Sequence, residues 1–409
     1  MLLEAFVRRG QFEVDGLDLS RLLRRSATPF YAYSGRAIRA KYSRLAEALP
    51  DFEVFYSLKA NPNPGIARLL RTLGSRAEVS SIGELRTALR AGFVPGNIVF
   101  LGPAKTEREI GAALKTGVFA LVAESAAELE LIDRLAARRN LRPGVMLRIN
   151  TRERTGRAGE VMVGGPSKFG FDEEKAVSEV RGLRLRHARL VGIQDYAASQ
   201  ILDAEIISAH FAYLFRLARR LAEEIGFRLR CIDFGGGFGV PYRPREHELD
   251  TAGLRKAVRR LVKQHAPALK DCRLILESGR YLAAESGVFV TKVIRVKESR
   301  GKRFIITDGG MNHFARPVFM GVAHQVRVLN RLNEPAAGPS DVCGPLCTPI
   351  DLLARGCRLP ECRPGDYLGV FDAGAYGFTM SLLKFLSFGT PGEILVDRGR
   401  SLFVSRRTL

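Results

Sequence analysis

The sequence predicts an α/β protein built from a (β/α)8 TIM-like barrel and a C-terminal, mostly antiparallel β domain. Three observations carry this. From Thr28 to about Ile275, eight short apolar runs alternate with helix-like runs, the pattern of repeated β/α units around a parallel sheet. After about Arg280 the helix-like runs give way to strand-like segments separated by Gly/Pro turns. With 409 residues the chain is too long for one ordinary core and suits about two domains of roughly 100–200 residues each. The barrel is expected over 28–279, and the β-sandwich or barrel-like domain over 1–27 and 280–409.

Taken in order, FEVFYSLKA, AEVSS, NIVFLG, FALVAE, VMLRIN, LVGIQDY, CIDFGG and LILESG read as the eight barrel strands. Between them IGELRTALRAG, AAELELIDRLAARRN and AHFAYLFRLARRLAEEIG carry the apolar spacing of amphipathic helices. Eight such units are what a barrel requires. In the C-terminal part VFVTKVIRVKES, KRFIITDGG, YLGVFDAG and EILVDRG read as strands, and the N-terminal FEVDG is expected to join them.

Composition narrows the function classes. Hydrophobic residues make up 46% and charged residues 26%, without a low-complexity tract, which is a globular composition. No apolar run is long enough to span a bilayer, and the start MLLEAFVRRGQFEVDG offers no signal-peptide core, so a cytoplasmic location is expected. The six cysteines form no CxxC pair and have no histidine cluster beside them, which argues against a metal site. The net charge of +21 predicts attraction to something acidic, although the basic residues are scattered and also read as a solvated surface.

Catalytic groups of a barrel sit where strands end. Lys59 closes the first strand within an apolar stretch, where desolvation would favour the neutral amine that forms an imine; the plain alternative is a surface lysine. Gly235, Gly236 and Gly237 follow the CID strand and let backbone N–H groups approach an anion such as a phosphate; a glycine-rich rim turn is the alternative. Glu277 and Arg280 end the last strand, either as a simple ion pair or as a carboxylate and a cation of one site. Cys343 to Asp351 is a turn-rich segment in which Cys347 and Asp351 stand four residues apart. Tyr376 sits in a glycine-flanked loop, with its phenol available to a phosphate oxygen.

Together these segments resemble the fold-type III pyridoxal phosphate (PLP) decarboxylases, the group of diaminopimelate and ornithine decarboxylases, over nearly the whole chain. YSLKANPN at 56–63 resembles the family's lysine motif, SKFGF at 167–171 its barrel-loop motif and DFGGGFGVPY at 233–242 its phosphate loop. ESGRYL at 277–282, CGPLC at 343–347 and DAGAY at 372–376 complete the set. The resemblance implies PLP bound to Lys59 with Glu78 behind it. It implies a phosphate gripped by Gly235, Gly236, Gly237, Ser199, Arg280 and Tyr376, and a pyridine nitrogen met by Glu277. It makes Cys347 the proton donor to Cα. It also implies a homodimer with shared sites, in which Cys347 and Asp351 reach the partner subunit's active site.

The departures bear on substrate and specificity. In VGIQDYAASQ, Tyr196 stands where the family often stacks a histidine on the cofactor, and Gln194 and Ala198 replace its usual histidine and glycine. Thr348 follows Cys347 where members that grip a far ammonium place an acid, while Asp351 keeps a diamino-acid substrate open. TDGGMNHFARP, GPLCTPIDLL and ASQILDAE resemble the subgroup typified by the butirosin-pathway decarboxylase, which acts on glutamate carried by an acyl carrier protein. Carrier proteins are acidic, so the +21 charge would suit one. Two alternatives stay open at this point. One is a decarboxylase of free diaminopimelate, lysine or ornithine; the other is a non-catalytic basic binding or regulatory protein on the same fold. A membrane role and a nucleic-acid partner are not expected.

Overall fold

A computed structural model describes residues 6–152, 160–161, 163–243, 245–266 and 269–408. The chain divides into two compact units. One comprises Tyr42–Val240 with Glu248–Gly279, and the other Met1–Lys41, Pro241–His247 and Arg280–Leu409.

The first unit is a closed barrel of eight parallel strands. They are Glu53–Ser57, Arg76–Val79, Ile98–Phe100, Ala120–Ala123, Gly144–Asn150, Arg189–Gln194, Cys231–Asp233 and Arg273–Ser278. Each pairs with its successor, and the ring closes where Ile275 to Ser278 lie beside Glu53 to Tyr56. All eight expected segments become barrel strands. Their inward side chains, among them Phe55, Val99, Val122, Met146 and Ile275, pack one buried cluster, so the barrel is filled rather than hollow.

Helices return the chain between strands, and their starts are written in the sequence. Ser81 and Ser125 accept the N–H groups of Glu84 and Glu128, capping helices Ile82–Arg90 and Ala126–Ala137. Thr106 and Glu109 form a reciprocal box at the start of Glu107–Thr116. Gly226 ends the 22-residue helix Ala204–Ile225 in the left-handed conformation that spares glycine the Cβ clash. Among the described residues, no helix is long and apolar enough to cross a membrane.

The second unit is built on a mixed, mostly antiparallel sheet. Its long strand Gly287–Ser299 pairs antiparallel with Lys302–Thr307, Tyr367–Val370 and Phe30–Ser34. Phe30–Ser34 also pairs in parallel with Gly392–Asp397. The expected boundary at residue 28 therefore falls before a strand that belongs to this sheet. FYAYS lies inside the expected barrel range, but its hydrogen bonds go to residues more than 250 positions later. The FEV segment forms a small antiparallel sheet within the same unit, and Phe12 and Val14 pack with Phe30, Val288 and Ile394.

Candidate active site

The C-terminal ends of the first, second, seventh and eighth barrel strands present a cluster of ionisable groups. Lys59 lies on a single tight turn, Leu58–Ala60, immediately after the first strand. Its Nζ stands 2.8 Å from Glu78 Oε2, at the end of the neighbouring strand. Glu78 is fully buried, whereas the lysine side chain is 36% exposed. The expected apolar surroundings of Lys59 are thus replaced by a charge partner, because the strand pairing sets Ser57 beside Glu78. Burial pushes the Glu78 carboxyl up, but Lys59 and hydrogen bonds from Ser57 and Ser80 outweigh it and hold it below the ordinary carboxylate range.

Glu277 is next to last in the eighth strand and Asp233 ends the seventh, and both are buried. Burial, and then the Glu78 charge, raises Glu277 to about 7; Lys59, a hydrogen bond with Asp233 and Arg148 act in the opposite sense. Burial and the Glu277 charge push Asp233 well above the usual range. Gln194, at the end of the sixth strand, donates its amide to Glu277 Oε1 at 3.3 Å. Tyr196 is half-buried, with its ring centroid 5.8 Å from Lys59 Nζ.

The glycine loop after Asp233 is shaped by close backbone contacts. Gly235 N–H bonds Asp233 Oδ1 at 2.9 Å, and Glu277 N–H bonds the Gly235 carbonyl at 2.7 Å. A Cβ on Gly236 would lie 1.9 Å from the Glu277 carbonyl oxygen, so no other residue fits there. Among the described residues, the Gly236 and Gly237 amides donate to no acceptor, which leaves two N–H groups available to a ligand. Ser199 is buried in the short strand Ala198–Ser199. The SKFGF loop docks on the barrel through Gly170 N–H to Glu124 Oε2 at 2.9 Å, with the Phe169 ring 4.3 Å from the Arg148 guanidinium.

In the other unit, Arg280 lies 5.0 Å from the ring centroid of Tyr376 and donates to Tyr242 Oη at 3.4 Å. Arg316, 2% exposed, stands 5.0 Å from the Tyr242 ring and 5.9 Å from that of Tyr376. Sequence reasoning did not single out Tyr242 and Arg316, although they lie in the DFGGGFGVPY and TDGGMNHFARP motifs; motif matching weights glycines over the aromatic or basic residue that closes the motif. Tyr376 has φ 59°, a left-handed conformation held within a loop in which Asp372 is also left-handed.

Cys347 is exposed and Thr348 half-buried. Asp351 is buried and engaged by backbone amides. Its Oδ1 accepts from Met311 N at 2.6 Å and its Oδ2 from Leu346 N at 2.8 Å. The carboxylate closes the turn that displays Cys347.

The model of the pyridoxal-dependent decarboxylase pyridoxal-binding domain matches residues 35–284. The chain belongs to the pyridoxal-dependent decarboxylases. It is 36% identical to the L-glutamyl-[BtrI acyl-carrier protein] decarboxylase of Niallia circulans, with 96% of this chain and 94% of the relative covered. It is 32% identical to the diaminopimelate decarboxylase of Aquifex aeolicus over 98% of this chain and 94% of that one. The crystal structure of Helicobacter pylori diaminopimelate decarboxylase with L-lysine superposes with a TM-score of 0.86 at 31% identity, covering 96% and 97% of the two chains. This pyridoxal-dependent decarboxylase is therefore an enzyme with PLP as cofactor, a carbon–carbon lyase of amino acids. The residues present suit that cofactor: an amine on a charge-paired lysine, a buried carboxyl for a ring nitrogen, and two unpaired backbone amides for a phosphate.

Proposed function

We propose that this decarboxylase acts on an amino acid tethered to an acidic carrier protein, as a homodimer in which each copy completes its partner's site. Lys59 holds the cofactor, Glu78 keeps the lysine oriented, and Glu277 faces the ring nitrogen. Gly235, Gly236, Gly237 and Ser199, with Arg280 and Tyr376, hold the phosphate, and Tyr196 covers the ring. PLP supplies the electron sink for the pair left behind when CO₂ departs. Cys347 delivers the proton that ends on Cα, its exposed thiol being free to approach a substrate.

The observation that carries the choice of substrate is the engagement of Asp351. Asp351 is buried, and each of its oxygens accepts an amide of its own unit, which ties the carboxylate to the turn around Cys347 and supports a substrate that does not need it as a partner. Thr348 offers no charge in its place. A substrate whose far end is joined to a carrier needs neither acid, and the first relative is named for such a substrate. The +21 charge supports an acidic partner by raising encounter rates. The test is mass spectrometry of products after offering the PLP-loaded protein free amino acids and the same amino acids on a carrier protein. Mass loss of one CO₂ from the tethered substrate alone is expected; loss from free diaminopimelate, lysine or ornithine overturns the carrier reading.

A further inference from the structure

The cluster around Glu277 holds a feature that PLP binding alone does not require. Gln194 is fully buried, its Nε2 bonds Glu277 Oε1 at 3.3 Å, and among the described residues its Oε1 has no donor. Among the described residues, Asp233 Oδ2 and Glu277 Oε2 are likewise buried without a hydrogen-bond partner. Two carboxyl groups buried on paired neighbouring strands disfavour two negative charges, so one of them keeps its proton.

The neighbours decide where that proton rests. Asp233 Oδ1 takes one N–H, from Gly235. Glu277 receives the Gln194 amide, and Lys59 and Arg148 act on it electrostatically, while Glu78 opposes them. With a donor on one side and cations nearby, Glu277 is the better anion, and Asp233 is the better acid. An amide, unlike an imidazole, cannot titrate, so the donor set around Glu277 is the same at every physiological pH.

We propose that Gln194 is a positioning residue: its amide, with Asp233 alongside, orients Glu277 as the proton acceptor for the cofactor ring nitrogen, so that the nitrogen stays protonated over a wide pH range. The inference rests on the reading of Glu277 as the ring-nitrogen partner. It adds that the glutamine makes this pairing independent of pH.

The experiment loads the enzyme with ¹⁵N-labelled PLP and follows the ring-nitrogen chemical shift and the visible absorbance from pH 6 to 9. The wild type is expected to hold one protonated-nitrogen signal throughout. In Gln194→Leu the signal moves toward unprotonated pyridine as pH rises, and PLP affinity falls about tenfold, the loss of one hydrogen bond to a charged group. Gln194→His restores affinity but introduces a titration step between about pH 5 and 8, where imidazole changes charge. It also guards against a leucine variant that misfolds. An unchanged ¹⁵N shift in Gln194→Leu, or no new step in Gln194→His, overturns the positioning role while leaving Glu277 in place. An unprotonated ring nitrogen in the wild type, with PLP bound, removes the Glu277 reading itself.

Discussion

Lys59 Nζ and Glu78 Oε2 lie 2.8 Å apart, one on the turn after the first barrel strand and the other at the end of the second. The carboxylate is enclosed, so the lysine is its main compensating charge. Lys59→Ala should abolish the visible absorbance of bound PLP and lower turnover by at least about 10³-fold, with the fold retained. Circular dichroism and absorbance on one sample check this; cofactor absorbance surviving in the variant would remove Lys59 from its role.

Gly236 is pressed against the Glu277 carbonyl, and an added methyl meets backbone rather than a movable side chain. Gly236→Ala should cost about 1–3 kcal/mol of stability and weaken PLP binding with it. Denaturant unfolding and a PLP titration give the two numbers. A variant of wild-type stability and affinity would mean the loop is not held as described.

Glu84 shows the opposite electrostatics to Glu78. Burial, then the Glu78 charge, raises it from an ordinary 4.5 to about 7. A carboxyl raised in the folded state contributes stability that is fully present below 4.5 and lost as pH climbs through about 7. Glu84→Gln should therefore remove part of the fall in stability between pH 5 and 8, raising Tm at pH 8 by roughly 2–4 °C. Equal pH dependence of melting in both proteins would contradict the assignment.

Asp351 joins Met311 and Leu346 through its two carboxylate oxygens. Asp351→Ala leaves two backbone N–H groups without acceptors, at about 1–3 kcal/mol each where they stay buried. Melting temperature and turnover should fall together, because the turn displaying Cys347 loosens. Loss of substrate affinity with unaltered stability would instead make Asp351 a substrate ligand.

The positive surface acts on rates. With a carrier-tethered substrate, kcat/KM should drop as salt is raised from low to physiological ionic strength, while kcat stays nearly constant. A kcat/KM that ignores salt would leave the +21 charge without a part in substrate capture.

The barrel was legible because each strand is a short apolar run that ends in a polar signal, and Ser57, Glu78, Asp233 and Glu277 mark four of those ends. The strand Phe30–Ser34 was not, since all five of its residues are buried and apolar patterning cannot say which sheet buries them. At the site, motifs made Lys59 and the glycine loop readable. The role of Asp351 was hidden because its amide partners at Met311 and Leu346 depend on how two loops fold together. The nearness of Asp233 and Glu277 likewise follows from strand neighbours, which spacing along the chain does not reveal.

The pairing of Phe30–Ser34 also bears on how the protein is made. Its parallel neighbour, Gly392–Asp397, lies more than 350 positions further along the chain. The barrel's eighth strand is complete by residue 278, so that unit can close while synthesis continues. The early strand, with Phe30, Tyr31 and Tyr33 fully buried in the finished protein, must wait unpaired until its partners at 287–290 and 392–396 have been made. During that interval it is an apolar strand edge of the kind that recruits other nascent chains, which makes chaperone supply a determinant of soluble yield.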